Sequence, residues 1–328
     1  MHVIRQYEFG GPEVLHHESG EPLEAGPGQA RIAVEASGVH LIDTSIRRGE
    51  HFGSLPAPAL PMTPGREVAG VIDAVGEGVE HAWIGRRVVV HLGAANGGYA
   101  DQAVAPIESL HVIPSGLSSA VAVAAIGSGR TAVGILDQAP VTAEDVVIIP
   151  SAAGGLGSAL LQAAVNAGAF VVGLAGGAVK VEAVSGLGPA AVIDYREPGW
   201  EGRLRSALGD HVPTLVYDGV AGHVGRTAYE LLGAGGRLIQ FGWSSQDQVA
   251  YDDPDRPVQM VLGPQMAARP GGMRSLEAEA LEKAASGTVV PLVGSTFPLS
   301  RAADAHRSLE ARQAYGKVIL VPDAIAAS

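Results

Sequence analysis

Five apolar runs recur through the middle of the chain, with room for a helix between successive runs. Nearly every position within each run is apolar, which is typical of strands buried on both faces of a parallel sheet. The runs lie at Val146–Ile149, Phe170–Leu174, Ala190–Ile193, Leu215–Tyr217 and Leu238–Phe241. The first interval holds a helix-forming stretch of small residues that ends at Gly168. The pattern predicts a doubly wound α/β domain.

The first third of the chain has a different pattern, of short β-rich runs separated by turn residues. Ala30–Val34, Val68–Val75 and Arg87–Val90 are predicted strands, with glycine and proline clusters between them. From about residue 118 the sequence becomes small, apolar and helical, with an interruption at Gly127–Gly129. A mostly-β domain therefore precedes the α/β domain.

The tail is mixed. A helix is predicted from Ser275 to Gly287, an extended segment over Val289–Phe297, a second helix from Ser300 and a final strand at Val318–Val321. A β-rich head and a mixed tail around a doubly wound centre indicate that the tail folds back onto the head. The predicted domains are residues 1–120, 121–264 and 265–328.

The first strand of the α/β domain leads into a glycine turn that predicts a dinucleotide site. Gly154 and Gly157 match the second and third glycines of the G-x-G-x-x-G fingerprint, with Ala152 at the first position. A missing Cβ lets a pyrophosphate approach the backbone, and the amides that open the following helix meet its charge. The predicted contacts are Ala153, Gly154, Gly155, Leu156 and Gly157.

The end of the second strand indicates which dinucleotide binds. Sites that prefer NAD place an Asp or Glu there, whereas this chain has Ala175 followed by two glycines. The absence of an acid permits a 2′-phosphate. Lys180 and Tyr195 are predicted to hold that phosphate by charge and hydrogen bond, which favours NADPH.

Composition narrows the class of protein. The chain has 328 residues, of which 47% are hydrophobic and 17% charged, and its formal net charge is −12. This acidity, without a basic run, argues against a nucleic-acid surface. Cysteine is absent, so disulfides, thiolate catalysis and cysteine-bound metals are excluded. No G-x-S-x-G motif suggests a serine hydrolase.

No membrane segment is predicted. The stretch Val146–Val179 has no charged residue, but Pro150, the glycine turn, Asn166 and Gly168 divide it into pieces too short to cross a bilayer. The first five residues lack the apolar core of a signal peptide. The expectation is a cytoplasmic protein without membrane association.

Eight motifs, spread along nearly the whole chain, resemble the medium-chain dehydrogenase/reductase superfamily and, within it, the zinc-independent quinone oxidoreductase branch. The motifs are Gly38–Asp43, Pro64–Gly70, Val75–Val79, Gly85–Val88, Ala152–Gly157, Val192–Tyr195, Val216–Val220 and Gly316–Leu320. The resemblance implies a Rossmann domain inserted in a GroES-like catalytic domain, and a homodimer formed through the cofactor domains. It also implies NADPH and hydride transfer to a quinone or another α,β-unsaturated carbonyl.

The resemblance also indicates whether this chain can bind a catalytic zinc ion. Zinc alcohol dehydrogenases of the superfamily carry a Cys, a His and a Cys or Asp at positions that match His40, Arg66 and Ser128 here. A guanidinium cannot ligate a metal ion, and the cysteine-bound structural zinc has no ligands in this chain. The expectation is a reaction without metal.

The first motif departs from the family. Quinone reductases usually carry Asn and Tyr where this chain has His40 and Ser45, although Arg47 matches and is, by that resemblance, a predicted catalytic residue. We hypothesise that His40 supplies a hydrogen bond or a proton to the substrate, and a packed structural histidine is the alternative. Asp43 and Glu67 are interpreted as buried acids with cationic partners.

The remaining site residues come from the other matching stretches. Thr131 matches a threonine close to the nicotinamide in the family, while its neighbour Arg130 replaces a usually apolar residue. Phe241 and Gly242 follow the fifth strand, at the edge where open α/β sheets bind ligands, and are predicted to contact the nicotinamide. Lys317 is predicted to reach cofactor or substrate, and a surface lysine is the alternative.

Residues 246–272 are predicted to form a loop with a short helix or strand inside. The segment holds Asp252, Asp253 and Asp255 and several prolines, and Gly271 and Gly272 end it. By resemblance it helps to line the substrate cleft and the dimer seam.

The sequence therefore favours an NADPH-dependent, metal-free reductase of quinones or enones. Two alternatives stay open: an enoyl-thioester reductase, and a nucleotide-binding protein without turnover, for which the replaced Asn and Tyr argue. The acidic chain shows no basic patch for a carrier-bound thioester.

Overall fold

The computed structural model describes residues 1–50, 58–245, 247, 249–251 and 253–326. The chain forms two compact units. One unit comprises Met1–Gly127 and Val293–Ser328, and the other comprises Ser128–Leu292.

The elements of the head and the inserted unit follow in chain order. The head contains β1 His2–Gln6, β2 Leu15–Ser19, β3 Gln29–Val39, α1 Leu41–Arg47, β4 Glu67–Val75, β5 Arg87–His91, β6 Gln102–Pro106, β7 His111–Val112 and α2 Ser119–Ala124. The inserted unit contains α3 Arg130–Gln138, β8 Val146–Ile149, α4 Gly155–Asn166, β9 Phe170–Ala175, α5 Ala178–Ser185, β10 Ala191–Asp194, α6 Trp200–Leu208, β11 Leu215–Asp218, α7 Gly222–Glu230, β12 Arg237–Gln240, β13 Val258–Met260 and α8 Gly272–Ala285. The tail contains β14 Val293–Pro298, α9 Ala302–Glu310, β15 Lys317–Val321 and α10 Asp323–Ala326.

The first unit is built on a seven-stranded sheet. Its order is β14-β15-β3-β4-β5-β7, and β6 pairs with β3. Alternate residues of β3, among them Ala30, Ile32 and Val34, are buried in its core. Because β15 lies antiparallel to β3, with Val318 opposite Val39, the tail returns to the head as the sequence predicted.

The second unit confirms the doubly wound α/β prediction. Its six strands are all parallel and lie in the order β10-β9-β8-β11-β12-β13. Numbered from β8, this is the 3-2-1-4-5-6 order of dinucleotide-binding folds, with its switch point between β8 and β11. Every residue of these two strands is buried, which explains their uninterrupted apolar runs.

The unit boundaries differ from the predicted ones. The structure divides the chain after residues 127 and 292, whereas the sequence placed the boundaries after 120 and 264. The larger difference arises because α8 belongs to the second unit, where Leu276 packs against Val133 and Met266. Its sequence shows an amphipathic helix but does not show which core receives the apolar face.

The predicted interruption near residue 127 is a π-helical turn, Ala125–Gly129, between α2 and α3. The helical run Ser119–Gln138 is long and apolar enough to cross a membrane, with a mean hydropathy of 1.5. However, 67% of that window is buried inside the protein, as in a core helix.

Strand β13 and a short 3₁₀ helix, Pro264–Ala267, lie within the segment predicted as a loop with a short element inside. Residues 246, 248 and Asp252 of that segment fall outside the described residues.

Candidate functional site

The glycine turn of the second unit lies between β8 and α4, at the switch point of the sheet. A Cβ on Gly157 would overlap the carbonyl oxygen of Ser151 and lie 2.6 Å from its carbonyl carbon. Only glycine therefore allows α4 to pack this closely on the turn, which is the role expected of the third fingerprint glycine.

The amides that open α4 are available to a ligand. The first bond of the helix runs from Ser158 N to Gly154 O, at 2.8 Å. The N–H groups of Gly155, Leu156 and Gly157 therefore have no acceptor within the helix. Ala153 is buried behind them. Three amides and a helix N-terminus at a bare glycine backbone suit the pyrophosphate of a dinucleotide.

Beyond β9, a second turn gathers the residues predicted for the 2′-phosphate. Tyr195 donates its backbone N–H to Ala175 O at 3.0 Å. Its ring lies over Gly176, where a Cβ would be 2.6 Å from the phenol oxygen. Lys180 is half-buried in the first turn of α5. The structure therefore brings Ala175, Lys180 and Tyr195 to one end of the sheet.

Arg196 is a cation of this turn that the sequence analysis missed. It is exposed, and its Nη1 would lie 3.6 Å from a Cβ placed on Gly177. The Asp194 carboxylate accepts the backbone N–H groups of both residues at 2.9 Å, which holds the turn. The signal was its position directly after Tyr195.

Phe241 and Gly242 lie beside Gly219, where β11 and β12 end. A Cβ on Gly219 would be 3.0 Å from Phe241 Cζ, and one on Gly242 would be 3.0 Å from Gly219 O. Asp218 is fully buried below them, and burial raises the pKa of its carboxyl although Val220 N and Ala221 N donate to it. Both residues thus lie at the carboxyl edge of the sheet, and their contact with a nicotinamide stays a prediction.

Thr131 is the second residue of α3 and lies in the same unit. Its neighbour Arg130, the departure noted in the sequence, donates to Glu277 on α8 at 2.6 Å. Arg130 therefore joins two helices of the second unit through an ion pair.

In the first unit, His40 lies in a cluster with Glu67, Lys317 and His91, whose Nε2 is 4.0 Å from Glu67 Oε1. His40 Nε2 lies 2.6 Å from Glu67 Oε1 and 2.7 Å from Lys317 Nζ, and Lys317 Nζ lies 2.8 Å from Glu67 Oε2. The exposed fractions of the side chains are 24% for His40, 0% for Glu67 and 3% for Lys317. His40 is thus the most exposed member of this cluster and lies beside the buried Glu67–Lys317 ion pair.

Two glycines make room for the Glu67 carboxylate. A Cβ on Gly127 would lie 2.5 Å from both carboxylate oxygens. A Cβ on Gly38 would overlap Glu67 Oε2 and lie 2.7 Å from Lys317 Cε. Burial alone would raise the pKa of Glu67, but the charges of His40 and Lys317 outweigh burial and hold that pKa well below its usual range. The prediction of a buried, paired Glu67 fits this placement.

Lys317 and Arg47 are placed differently from their predicted roles. Lys317 is committed to the Glu67 pair inside the first unit, which argues against direct contact with cofactor or substrate. Arg47 is 1% exposed, and it donates to Gly10 O and to Glu310 on α9. A group so buried joins α1 to α9 and is not available to a substrate.

Arg47 also starts a buried hydrogen-bond chain that the sequence did not reveal. Arg47 Nη1 donates to His306 Nδ1 at 3.2 Å, and the other ring nitrogen lies 3.1 Å from the Tyr99 hydroxyl. Tyr99 donates to Asp43, whose carboxylate also accepts the His40 backbone N–H at 2.8 Å. The neutral His306 tautomer with its hydrogen on Nε2 satisfies every step. This series of hydrogen bonds fixes the start of α1 and, with it, the backbone position of His40.

Comparisons with known proteins agree with this architecture. The model of the alcohol dehydrogenase GroES-like domain matches residues 26–115, and that of a zinc-binding dehydrogenase matches residues 187–320. Quinone oxidoreductase of Sus scrofa is 32% identical over 98% of both chains. A mycobacterial protein solved with NADPH is 34% identical, with a TM-score of 0.82 over 98% of this chain and 100% of its own. Escherichia coli quinone oxidoreductase, also solved with NADPH, is 28% identical, with the same TM-score and coverage.

The zinc of the second family description does not fit the residues present. Lys317 places an ammonium group against both His40 and Glu67, and Arg66 is a permanent cation at a position that matches a zinc ligand of the family. In the described part of the chain no group of three His, Asp or Glu side chains is arranged to hold a metal. Cations repel a metal ion and offer it no lone pair.

The fold order, the glycine turn and the full-length relatives lead to one family. The chain belongs to the medium-chain dehydrogenase/reductase superfamily, in its quinone oxidoreductase branch.

Proposed function

We propose that this protein is an NADPH-dependent reductase that delivers hydride to a quinone or another α,β-unsaturated carbonyl without a metal ion. The observation that carries the proposal is the match, over 98% of both chains, to a protein named quinone oxidoreductase. The site geometry supports it, because a dinucleotide turn occurs in a chain that has Arg66 at one of the three metal-ligand positions and a lysine ammonium against His40 at another. A soluble, cytoplasmic protein is part of the proposal.

Different residues of the second unit contact different parts of the cofactor. The amides of Gly155, Leu156 and Gly157 face the pyrophosphate, while Lys180 and Tyr195 hold the 2′-phosphate. Phe241, Gly242 and Thr131 line the nicotinamide side. When bound, NADPH supplies the hydride, and the chain binds and orients it.

His40 is the proposed source of a hydrogen bond or proton for the substrate carbonyl. Hydride addition to the β-carbon leaves negative charge on the oxygen, which needs a donor. His40 is the exposed member of its cluster, and Glu67 and Lys317 hold the ring from the buried side. These two are positioning residues.

The test is NADPH oxidation over a panel of quinones and enones, with His40→Ala and His40→Asn variants. We expect the Ala variant to lower kcat about a hundredfold with unchanged NADPH affinity, and the Asn variant to restore part of it. Unchanged turnover and unchanged quinone affinity would remove His40 from the mechanism. No oxidation across the panel, despite NADPH binding, would favour a protein without turnover.

A homodimer through the second unit is also proposed. Strand β13 forms one edge of the six-stranded sheet, and the exposed fractions are 45% for Met260 at its end and 43% for Leu262 just after it. An apolar edge strand is a surface for pairing with a second copy. Light scattering should give twice the 33.4 kDa chain mass, and Met260→Lys should shift it toward the monomer. A monomeric parent protein would contradict the proposal.

A further inference from the structure

Ser151, in the turn between β8 and α4, has a hydroxyl that the fold does not use. Its Oγ is buried, and among the described residues it has no hydrogen-bond partner. A buried hydroxyl that has lost water without gaining a partner destabilises the protein. Such a group, at the switch point of a dinucleotide-binding sheet, is expected to have its partner in a ligand.

The backbone of Ser151, in contrast, has a structural role. Its carbonyl oxygen accepts the N–H of Gly154 at 2.9 Å and faces the bare Cα of Gly157. Any residue at position 151 provides that carbonyl. The hydroxyl is therefore dispensable for the turn, and removing it tests ligand binding separately from folding.

The surroundings of the hydroxyl identify which part of the sheet edge it faces. A Cβ on Gly219 would lie 3.0 Å from Ser151 Oγ and 3.0 Å from Phe241 Cζ. The hydroxyl, the ring and the bare glycine backbone thus meet where β8, β11 and β12 end. Because residue 219 has no side chain, the Phe241 ring and the Ser151 hydroxyl can both lie against its backbone.

The strand order then indicates which half of the cofactor lies beside the Ser151 hydroxyl. Strands β9 and β10 lie on one side of β8, and their turns carry Lys180 and Tyr195, the proposed 2′-phosphate site. Strands β11 and β12 lie on the other side, with Gly219 and Phe241. A dinucleotide crosses the crevice between the two halves, so the far half holds the nicotinamide.

We propose that Ser151 donates a hydrogen bond to an oxygen of the nicotinamide half of NADPH, either a ribose hydroxyl or the phosphate beside it. The inference rests on the proposed NADPH binding. It adds a cofactor-binding residue outside the glycine fingerprint, which begins at Ala152.

The experiment is calorimetric titration of Ser151→Ala with NADPH and with adenosine 2′,5′-bisphosphate, which lacks the nicotinamide half. One net hydrogen bond predicts an NADPH Kd about fivefold weaker, and an unchanged Kd for the bisphosphate. The Tm of the ligand-free variant should equal or exceed that of the parent. Ser206→Ala, an exposed serine of α6, is the matched control and should change nothing.

Equal NADPH affinity of Ser151→Ala and parent would overturn the inference. Equal weakening of both ligands would overturn the assignment to the nicotinamide half, and a lower ligand-free Tm would show a structural hydroxyl instead. A parent protein that binds no NADPH would refute the proposed cofactor itself, a result distinct from these three.

Discussion

Acid is expected to destabilise the first unit through His306. This side chain is fully buried between Arg47 and Tyr99. Burial, and then the nearby charges of Arg47 and Arg48, lower its pKa to about 3 from an ordinary 6.5. A second proton on the ring would sit on Nδ1 and face the guanidinium that now donates to it.

The direction and the size of the change in unfolding free energy with pH follow from proton linkage. Between pH 6.5 and 3 the unfolded chain binds a proton at His306 that the folded protein does not bind, so the free energy of unfolding falls as the pH falls. Each pH unit below 6.5 costs about 1.4 kcal/mol, which gives about 2 kcal/mol at pH 5. The pKa of Glu67 lies well below its usual range, so its contribution is retained at pH 5 and is lost only in stronger acid.

The assay is guanidinium unfolding followed by circular dichroism at pH 7.5 and pH 5.0, for the parent and for His306→Gln. Glutamine can accept from Arg47 and donate to Tyr99, but it does not titrate. We expect the variant to be less stable at pH 7.5 and to lose about 2 kcal/mol less than the parent on acidification. His81→Gln, at an exposed position, is the control and should lose as much stability as the parent between the two pH values.

If His306→Gln and the parent lose the same stability between the two pH values, the buried neutral histidine is not the acid-sensitive group. A parent protein equally stable at both pH values would refute the reasoning as well.

Three further predictions test the two sites. Gly157→Ala should weaken NADPH at least about tenfold, because the added Cβ overlaps the turn backbone; a thermal shift by NADPH equal to the parent's would contradict this. Glu67→Gln should cost about 3 kcal/mol of unfolding free energy, because it leaves the Lys317 ammonium buried without its carboxylate. Adding Lys317→Met should recover most of that loss, and a double variant as unstable as the single one would count against the pair. Lys180→Ala combined with Arg196→Ala should weaken NADPH about tenfold and leave NADH unchanged, and fluorescence titration with both nucleotides distinguishes this from a general loss of binding.

Local features could be predicted from the sequence. The strands around the glycine turn, the fingerprint itself and the turn that gathers Lys180 and Tyr195 depend on neighbours within about twenty residues. Parallel pairing follows from the alternation of strands and helices. These parts of the cofactor site needed no knowledge of distant contacts.

The catalytic side was harder because burial there is decided by distant segments. Arg47 and Lys317 carry the same charge whether they are exposed or paired, and only the packing of α9 and β15 against the head shows that both are buried. Tyr99 and His306 are 207 residues apart in the chain. No spacing rule connects them, so their hydrogen-bond chain could not be predicted.

The pairing of β15 with β3 has a consequence for synthesis. The sheet of the first unit is complete only after residues 317–321 have left the ribosome. By then the whole inserted unit has emerged and can fold independently. Until that moment Gln29–Ala33 can pair with β6, but Ser37–Val39, at the other end of β3, lack the strand that completes their side of the sheet, so this short edge is exposed while the inserted unit is being made.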